Sequence, residues 1–545
     1  MPRARNTIRA VAVATATGLA LSLAATLPAA ADPVTAPLSP GSPPDSALAA
    51  FHDQEILWAE CPEAELAGLE CTEFEVPLDY ADPDGARLTV AASRAAATDP
   101  EERRGILMIN PGGPGGAARL MPLVLAGTPA HGAYDLIGMD PRGTGASSPL
   151  DCGVEFPMIR FRASDAQIAA DTREKIRYSR ACDAAEGDRF PHMTSANTAR
   201  DMDVFRAATG EDTVNYLGYS YGSYLGPVYG SLFPERLDRS VLDSSVHPDE
   251  IWRDVFLGQA PAGTANLERY TAWLAERDDV YGFGTDPEEI VALFDETSAR
   301  LDEEPRDDVP NVELLDGAAF DSLVFGASRA QGYWDANAWF LQLLVEGEPV
   351  PGEEVEQPEL DPVFDTNMDL FSAVVCEAEW PDRLGLYHQQ SREYRDAHPY
   401  STGALWTAPQ ACTFTRNAPT EKAVELERDG YPEALVIAAD HDANTHYAGG
   451  PAMAERLESP LLTVTDEGGH GFYLLPDPYT GELGYPCVND VVDAYLLDGA
   501  VPEDTECGGI PRPAEPEVSA LDEDPPVVLT DVERPKEWLL PIALG

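Results

Sequence analysis

The chain has 545 residues, of which 95 are acidic and 36 basic, giving a formal net charge of -59. A surface this acidic repels phosphate backbones and anionic headgroups, which excludes nucleic acid and anionic membrane as electrostatic partners. The length exceeds one ordinary domain, so a core domain with a large insertion, or a second domain, is expected.

Residues 1–31 carry Arg3, Arg5 and Arg9, then an Ala/Leu/Val/Thr-rich stretch to Leu27, and end in Ala29-Ala30-Ala31. This order reads as a secretory signal peptide cut after Ala31, and it implies an extracellular protein. A membrane anchor is the rival, but the apolar run is short and rich in Ala and Thr, whereas a spanning helix needs about 20 strongly apolar residues. Residues 32–48, rich in Pro, Ser and Thr, read as a flexible lead-in.

The runs Phe74 to Tyr80 and Ala86 to Ser93 flank Asp82-Pro83-Asp84-Gly85, a turn in which Pro fixes φ and Gly accepts a positive one, so they form an opening hairpin. Ile106 to Ile109, Tyr134 to Met139, Val214 to Leu217, Ser240 to Leu242, Ala434 to Ala438 and Leu461 to Val464 are short apolar runs with little alternation, as buried parallel strands show. Alternating with helical stretches, they predict an α/β fold whose mainly parallel sheet is covered on both faces. Between the strands near Leu242 and Ala434, the segments Ala265 to Arg277, Pro287 to Glu303, Ser328 to Leu344 and Asn367 to Ala378 have helical spacing. We therefore expect a core in two parts, residues 49–246 and 431–507, interrupted by a mostly helical cap at 247–430. Residues 508–545 read as a Pro- and acid-rich tail with an apolar end at Trp538 to Pro541.

Eight cysteines in an exported chain imply disulfides, and no C-x-x-C pair suggests zinc. Closing short loops in order joins Cys61 to Cys71, Cys152 to Cys182, Cys376 to Cys412 and Cys487 to Cys507. No metal or organic cofactor is implied.

The chemistry centres on Gly218-Tyr219-Ser220-Tyr221-Gly222, which follows a strand and precedes a helical stretch, the order of a nucleophile elbow. The bland alternative is a turn whose serine caps the helix. Acyl transfer also needs a base, a carboxylate to orient it and donors for the oxyanion. Asp442 follows one late strand, and His470, in Gly468-Gly469-His470-Gly471, follows the next. His441 and His446 compete with His470, and Asp440 and Asp243 with Asp442. The amides of Tyr221 and of Gly113, in the loop Asn110-Pro111-Gly112-Gly113-Pro114-Gly115-Gly116, are the expected oxyanion donors. A phosphate-binding loop would need the Gly-Lys-Ser/Thr ending that this loop lacks.

The loop Asn110 to Gly116, the run Asp140-Pro141-Arg142-Gly143-Thr144-Gly145, Thr194 to Met202, the elbow, Asp442 to Thr445 and Gly468 to Gly471 together resemble the secreted bacterial tripeptidyl aminopeptidases. These belong to the prolyl aminopeptidase group of α/β-hydrolases. The likeness runs from about Cys61 to Cys507 and departs at the acid loop, where Ala443 and His446 stand in place of the family's usual prolines. It implies the α/β-hydrolase fold, the triad Ser220, Asp442 and His470, oxyanion donors at Gly113 and Tyr221, and a peptide substrate with a free N-terminus. It also implies cap carboxylates that hold the substrate amine, for which Glu377 and Glu379, beside Cys376, are the candidates. The reading is a secreted serine exopeptidase. A secreted carboxylesterase on the same fold is the enzymatic alternative, and a catalytically dead binding protein is the alternative of another class.

Overall fold

Ten strands make one sheet in the order β1-β2-β3-β5-β4-β6-β7-β8-β9-β10. They are β1 (Ala59–Glu60), β2 (Glu70–Pro77), β3 (Arg87–Ala95), β4 (Ile106–Asn110), β5 (Asp135–Met139), β6 (Val214–Tyr219), β7 (Leu237–Asp243), β8 (Leu435–Ala439), β9 (Leu461–Thr465) and β10 (Thr505–Gly508). The pairs from β1 through β3 to β5 are antiparallel, and every pair from β5 to β10 is parallel. The computed structural model describes residues 47–158, 160–351, 366–419, 421–475 and 483–513. The expected signal peptide, nearly all of the lead-in and most of the tail lie outside the described residues.

Because successive strand side chains point to opposite faces, each central strand feeds two cores. Ile106, Met108, Val214, Tyr216 and Val436 enter one cluster. Leu107, Ile109, Leu217, Tyr219, Leu435 and Ile437 enter the other. Both faces of the central strands are therefore dry, which is why those runs show no alternation. All eight expected strands are present. β1 and β10 were not expected: each is short and mostly exposed, without an apolar run. β10 ends at Gly508, the first residue of the expected tail, and the Cys487–Cys507 disulfide fastens it beside β9.

The stretch between β7 and β8 is helical and has a core of its own, built around Trp273, Phe294, Phe320, Trp334 and Leu341. Its helices include Arg253–Ala275, Pro287–Glu303, Gly317–Arg329, Trp334–Glu346, Met368–Val375 and Leu384–Ala397. Of the helix expected over Ser328 to Leu344, Trp334 onward is helical, whereas Ser328 and Arg329 end the unexpected helix Gly317–Arg329 and a turn at Gln331–Tyr333 separates the two, where the Trp334 indole donates to Ser328 O at 3.1 Å. Leu384–Ala397 went unforeseen because it buries only Tyr387 and Ser391, too little for a clear apolar stripe. No described helix is long and apolar enough to cross a membrane.

All four disulfides pair in sequence order, as the short-loop reading expected. The run Asp140 to Gly145 is structural. Asp140 accepts the amides of Ala118, Arg119 and Ala146. Arg142 forms a wholly buried pair with Asp201, and Asp201 also accepts from the Tyr80 hydroxyl at 2.7 Å.

Candidate active site

β6 ends at Tyr219, the helix Gly222–Leu232 begins three residues later, and Ser220 between them takes φ 55°, a left-handed conformation that serine rarely adopts. The turn is this tight because its flanks lack side chains: a Cβ on Gly218 would stand 2.3 Å from Gly222 O, and one on Gly222 would stand 2.9 Å from Asn110 O. The Ser220 amide donates to Asp243 O at 2.9 Å, and Ser220 O accepts from the Ser223 amide and hydroxyl. The side chain is thereby left partly exposed at the sheet's carboxyl edge.

The loop after β4 lies directly against this turn. A Cβ on Gly112 would fall 2.9 Å from Ser220 Cβ and 3.3 Å from the Tyr221 nitrogen, and Gly112, Gly113 and Gly115 all have positive φ. Asn110 Oδ1 holds the loop by accepting the Gly112 amide at 3.0 Å. Among the described residues neither the Gly113 nor the Tyr221 amide has an acceptor, so both remain available as donors.

His470 and Asp442 meet at 2.7 Å, His470 Nδ1 donating to Asp442 Oδ2, and both side chains are almost fully buried. Asp442 Oδ1 accepts the amides of Asn444 and Thr445, and Oδ2 also accepts the Thr445 hydroxyl at 2.8 Å. Burial alone would raise the Asp442 carboxyl, but the His470 charge, its hydrogen bond, the Asn444 amide and Arg329 together hold it below the ordinary value. His470 Nε2 is buried with no hydrogen-bond partner, so the second ring nitrogen is the one left for a substrate or a nucleophile.

Asp243 ties this histidine to the elbow. Its carbonyl takes the Ser220 amide, while its Oδ2 accepts the amides of Phe472 and Tyr473 at 3.0 and 2.7 Å. Ser244 Oγ accepts the Gly471 amide, and the Tyr219 hydroxyl donates to Tyr473 O at 2.6 Å. Burial pushes the Asp243 carboxyl up to about 6 against these donors. Thus Asp243 braces the histidine turn through its backbone amides and, among the described residues, makes no hydrogen bond to the imidazole. Asp440 likewise caps a loop, accepting the amides of Asp466 and Glu467. The rival histidines are also elsewhere: His446 pairs with Glu250 at 3.1 Å and His441 lies 3.8 Å from Asp440.

The two expected amine-binding glutamates separate. Glu377, beside the Cys376–Cys412 bridge, accepts the Ser195 amide at 2.8 Å, the Ser195 hydroxyl at 2.7 Å and the Trp252 indole at 3.0 Å. Ser195 Oγ also lies 3.0 Å from the Tyr221 hydroxyl, so the glutamate connects to the residue after the elbow serine. Burial pushes the Glu377 carboxyl up to about 7, opposed by its Ser195 and Trp252 donors. Glu379 is exposed and has no hydrogen bond or ion pair among the described residues. Ser195 and Trp252 are additions that sequence reasoning missed. Ser195 lies in the run Thr194 to Met202, whose resemblance was a signal without an assigned role.

An aromatic wall borders the oxyanion loop. Asn367 donates to Gly115 O at 3.0 Å and starts the helix bearing Phe371, which packs with Phe256 and the partly buried Trp406; the last two stack at 4.1 Å. Among the described residues the one group with metal-ligand spacing is Cys152, Cys182 and Asp369, and both sulfurs are committed to a disulfide.

The model of the alpha/beta hydrolase fold matches residues 105–477. The chain is 32% identical over 471 residues to a tripeptidyl aminopeptidase of Streptomyces coelicolor, covering 82% of this chain and 84% of that one. It is 28% identical over 502 residues to the serine protease Hip1 of Mycobacterium tuberculosis, covering 82% and 90%. It is also 28% identical over 484 residues to a carboxylesterase B of the same species, covering 82% and 88%. With its elbow, its parallel sheet and an identity of this extent, the chain belongs to the α/β-hydrolase family, in the group that includes the tripeptidyl aminopeptidases.

Proposed function

We propose that this serine hydrolase is a secreted exopeptidase that releases short peptides, tripeptides first among them, from free N-termini. Ser220 attacks the scissile carbonyl while His470 Nε2 takes its proton, and Asp442 fixes the imidazole through Nδ1. The amides of Gly113 and Tyr221 receive the developing oxyanion. His470 then returns the proton to the leaving amine, and a water activated by the same nitrogen releases the acyl group. The observation that carries the reading is the buried 2.7 Å contact between His470 Nδ1 and Asp442 Oδ2, with Nε2 unpartnered and its turn pinned to the elbow through Asp243. Export is supported by the leader-like residues 1–31 and by four disulfides.

Exopeptidase character needs a receptor for the substrate ammonium, and Glu377 is that group. A charge-assisted bond of this kind is worth about 1.5 to 3 kcal/mol, so Glu377→Gln should lower kcat/KM on free-amine peptides by one to two decades relative to N-acetylated ones. Glu379→Gln should leave that ratio as in the wild type. Equal losses on both substrates would make Glu377 only a brace for Ser195 and Tyr221.

The pH dependence has a definite sign. Below about 7 the raised Glu377 carboxyl is protonated and cannot pair with an ammonium. Above about 8 a peptide α-amine loses its own charge. The ratio of kcat/KM for free over acetylated peptides should therefore peak between these values and fall on both sides; a ratio that is flat from pH 5 to 9 would remove Glu377 from amine recognition.

A further inference from the structure

Arg329 ends the helix Gly317–Arg329 in the insertion, and its carbonyl backs onto the histidine turn: a Cβ on Gly468 would stand 2.9 Å from Arg329 O. The residue is 8% exposed, yet it has no ion pair and no hydrogen-bonded side chain among the described residues, and its Nε is buried without an acceptor. Its side-chain contact is the ring of Phe325 one turn back, whose centroid lies 5.1 Å from Cζ. Among the described residues the other buried arginines each have a partner on at least one nitrogen, although Nε of Arg200 and of Arg253 is also unpartnered: Arg119 by Glu63 and Asp140, Arg142 by Asp201, Arg200 by Glu421 and Arg253 by Gln390.

The carboxylate whose charge reaches Arg329 is Asp442. Both oxygens of Asp442 are already occupied, by the amides of Asn444 and Thr445 on one and by the Thr445 hydroxyl and His470 on the other. Asp442 therefore does not bond to the guanidinium. A largely buried guanidinium without a hydrogen-bond partner is costly, and a bound anion reduces that cost.

The position of Arg329 indicates which part of a substrate would supply the anion. Arg329 packs through its carbonyl on Gly468, two residues before His470, and His470 hands its proton to the leaving amine, so the leaving part is the end of the substrate nearest this helix terminus. Glu377 is bonded through Ser195 to Tyr221, next to the acyl part.

Resting on the peptidase reading above, we propose that Arg329 binds a carboxylate on the leaving part of the substrate, selecting short peptides with a nearby free C-terminus or an acidic residue just after the scissile bond. In a chain of net charge -59 an anionic leaving group is otherwise repelled, so one guanidinium decides its acceptance. The planar fork suits a carboxylate in a way that a lysine ammonium does not.

The test uses the full chain and peptides identical up to the scissile bond. The leaving part is a neutral amidated residue, the same residue as a free acid, or an amidated glutamate. The wild type should favour a carboxylate-bearing peptide by about 10- to 100-fold in kcat/KM. Preference for the free acid identifies the C-terminus as the source, and preference for glutamate identifies the side chain. Arg329→Gln should bring the preference to about one, and Arg329→Lys should keep part of it; should Arg329→Gln fail to fold, the lysine variant carries the comparison. A wild type indifferent to the carboxylate, or equal losses in the variants on neutral and charged peptides, would overturn the proposal and mark Arg329 as a support for Asp442. Cleavage of no peptide at all by the wild type would instead reject the peptidase reading and this inference with it.

Discussion

Ser220→Ala should lower kcat by about a million-fold, with folding unchanged. The magnitude follows from what remains: without the oxygen, His470 has nothing to activate, and the free amides of Gly113 and Tyr221 stabilise only whatever attack water makes unaided. Folding should survive because the contacts that shape the elbow are made by backbone groups and the two flanking glycines. Kinetics on a free tripeptide amide, with thermal unfolding of the same preparation, checks both halves. Activity within tenfold of wild type would remove Ser220 from the chemistry.

Asp442→Asn should cost about four decades in kcat, and Asp243→Asn far less, although the two aspartates are equally buried. The difference lies in their donors. An asparagine at 442 must present its oxygen to the amides of Asn444 and Thr445, which now meet Oδ1, and so turns its NH2 toward His470 Nδ1. An NH2 there forces the tautomer with hydrogen on Nε2, which cannot accept the serine proton. At 243 the oxygen would stay with the amides of Phe472 and Tyr473, and the NH2 would meet the hydroxyl of Ser244, which can accept. The histidine turn then keeps its anchor. If Asp243→Asn proves the more damaging in kcat, the acid has been misassigned; kcat for both variants on one substrate decides the matter.

The central strands were readable because β4, β5, β6 and β8 are buried on both faces and appear in the sequence as unbroken apolar runs. β10 was not, because its four residues owe their pairing to a disulfide and a neighbouring strand. Chain order after late strands pointed to His470 and to a short set of acids that includes Asp442, since a hydrolase sheet brings those loops to one edge, and the structure joins His470 to Asp442 at 2.7 Å. Sequence order could not separate Asp442 from Asp243: both follow strands at that edge, and only the donors around each carboxylate distinguish them. The bond between Glu377 and Ser195 spans 182 positions, and neither residue's neighbours hint at the other. Arg329 was equally silent, because an arginine ending a helix reads as a solvated charge until its missing partner is seen.

The most direct test of a serine exopeptidase acting from free N-termini is mass spectrometry of products from a peptide ladder, each length supplied with a free and an acetylated amine, using the wild type and Ser220→Ala. The account predicts short N-terminal fragments from the free-amine peptides alone, and none with the variant. Equal cleavage of the acetylated peptides, or fragments that persist with Ser220→Ala, would contradict it.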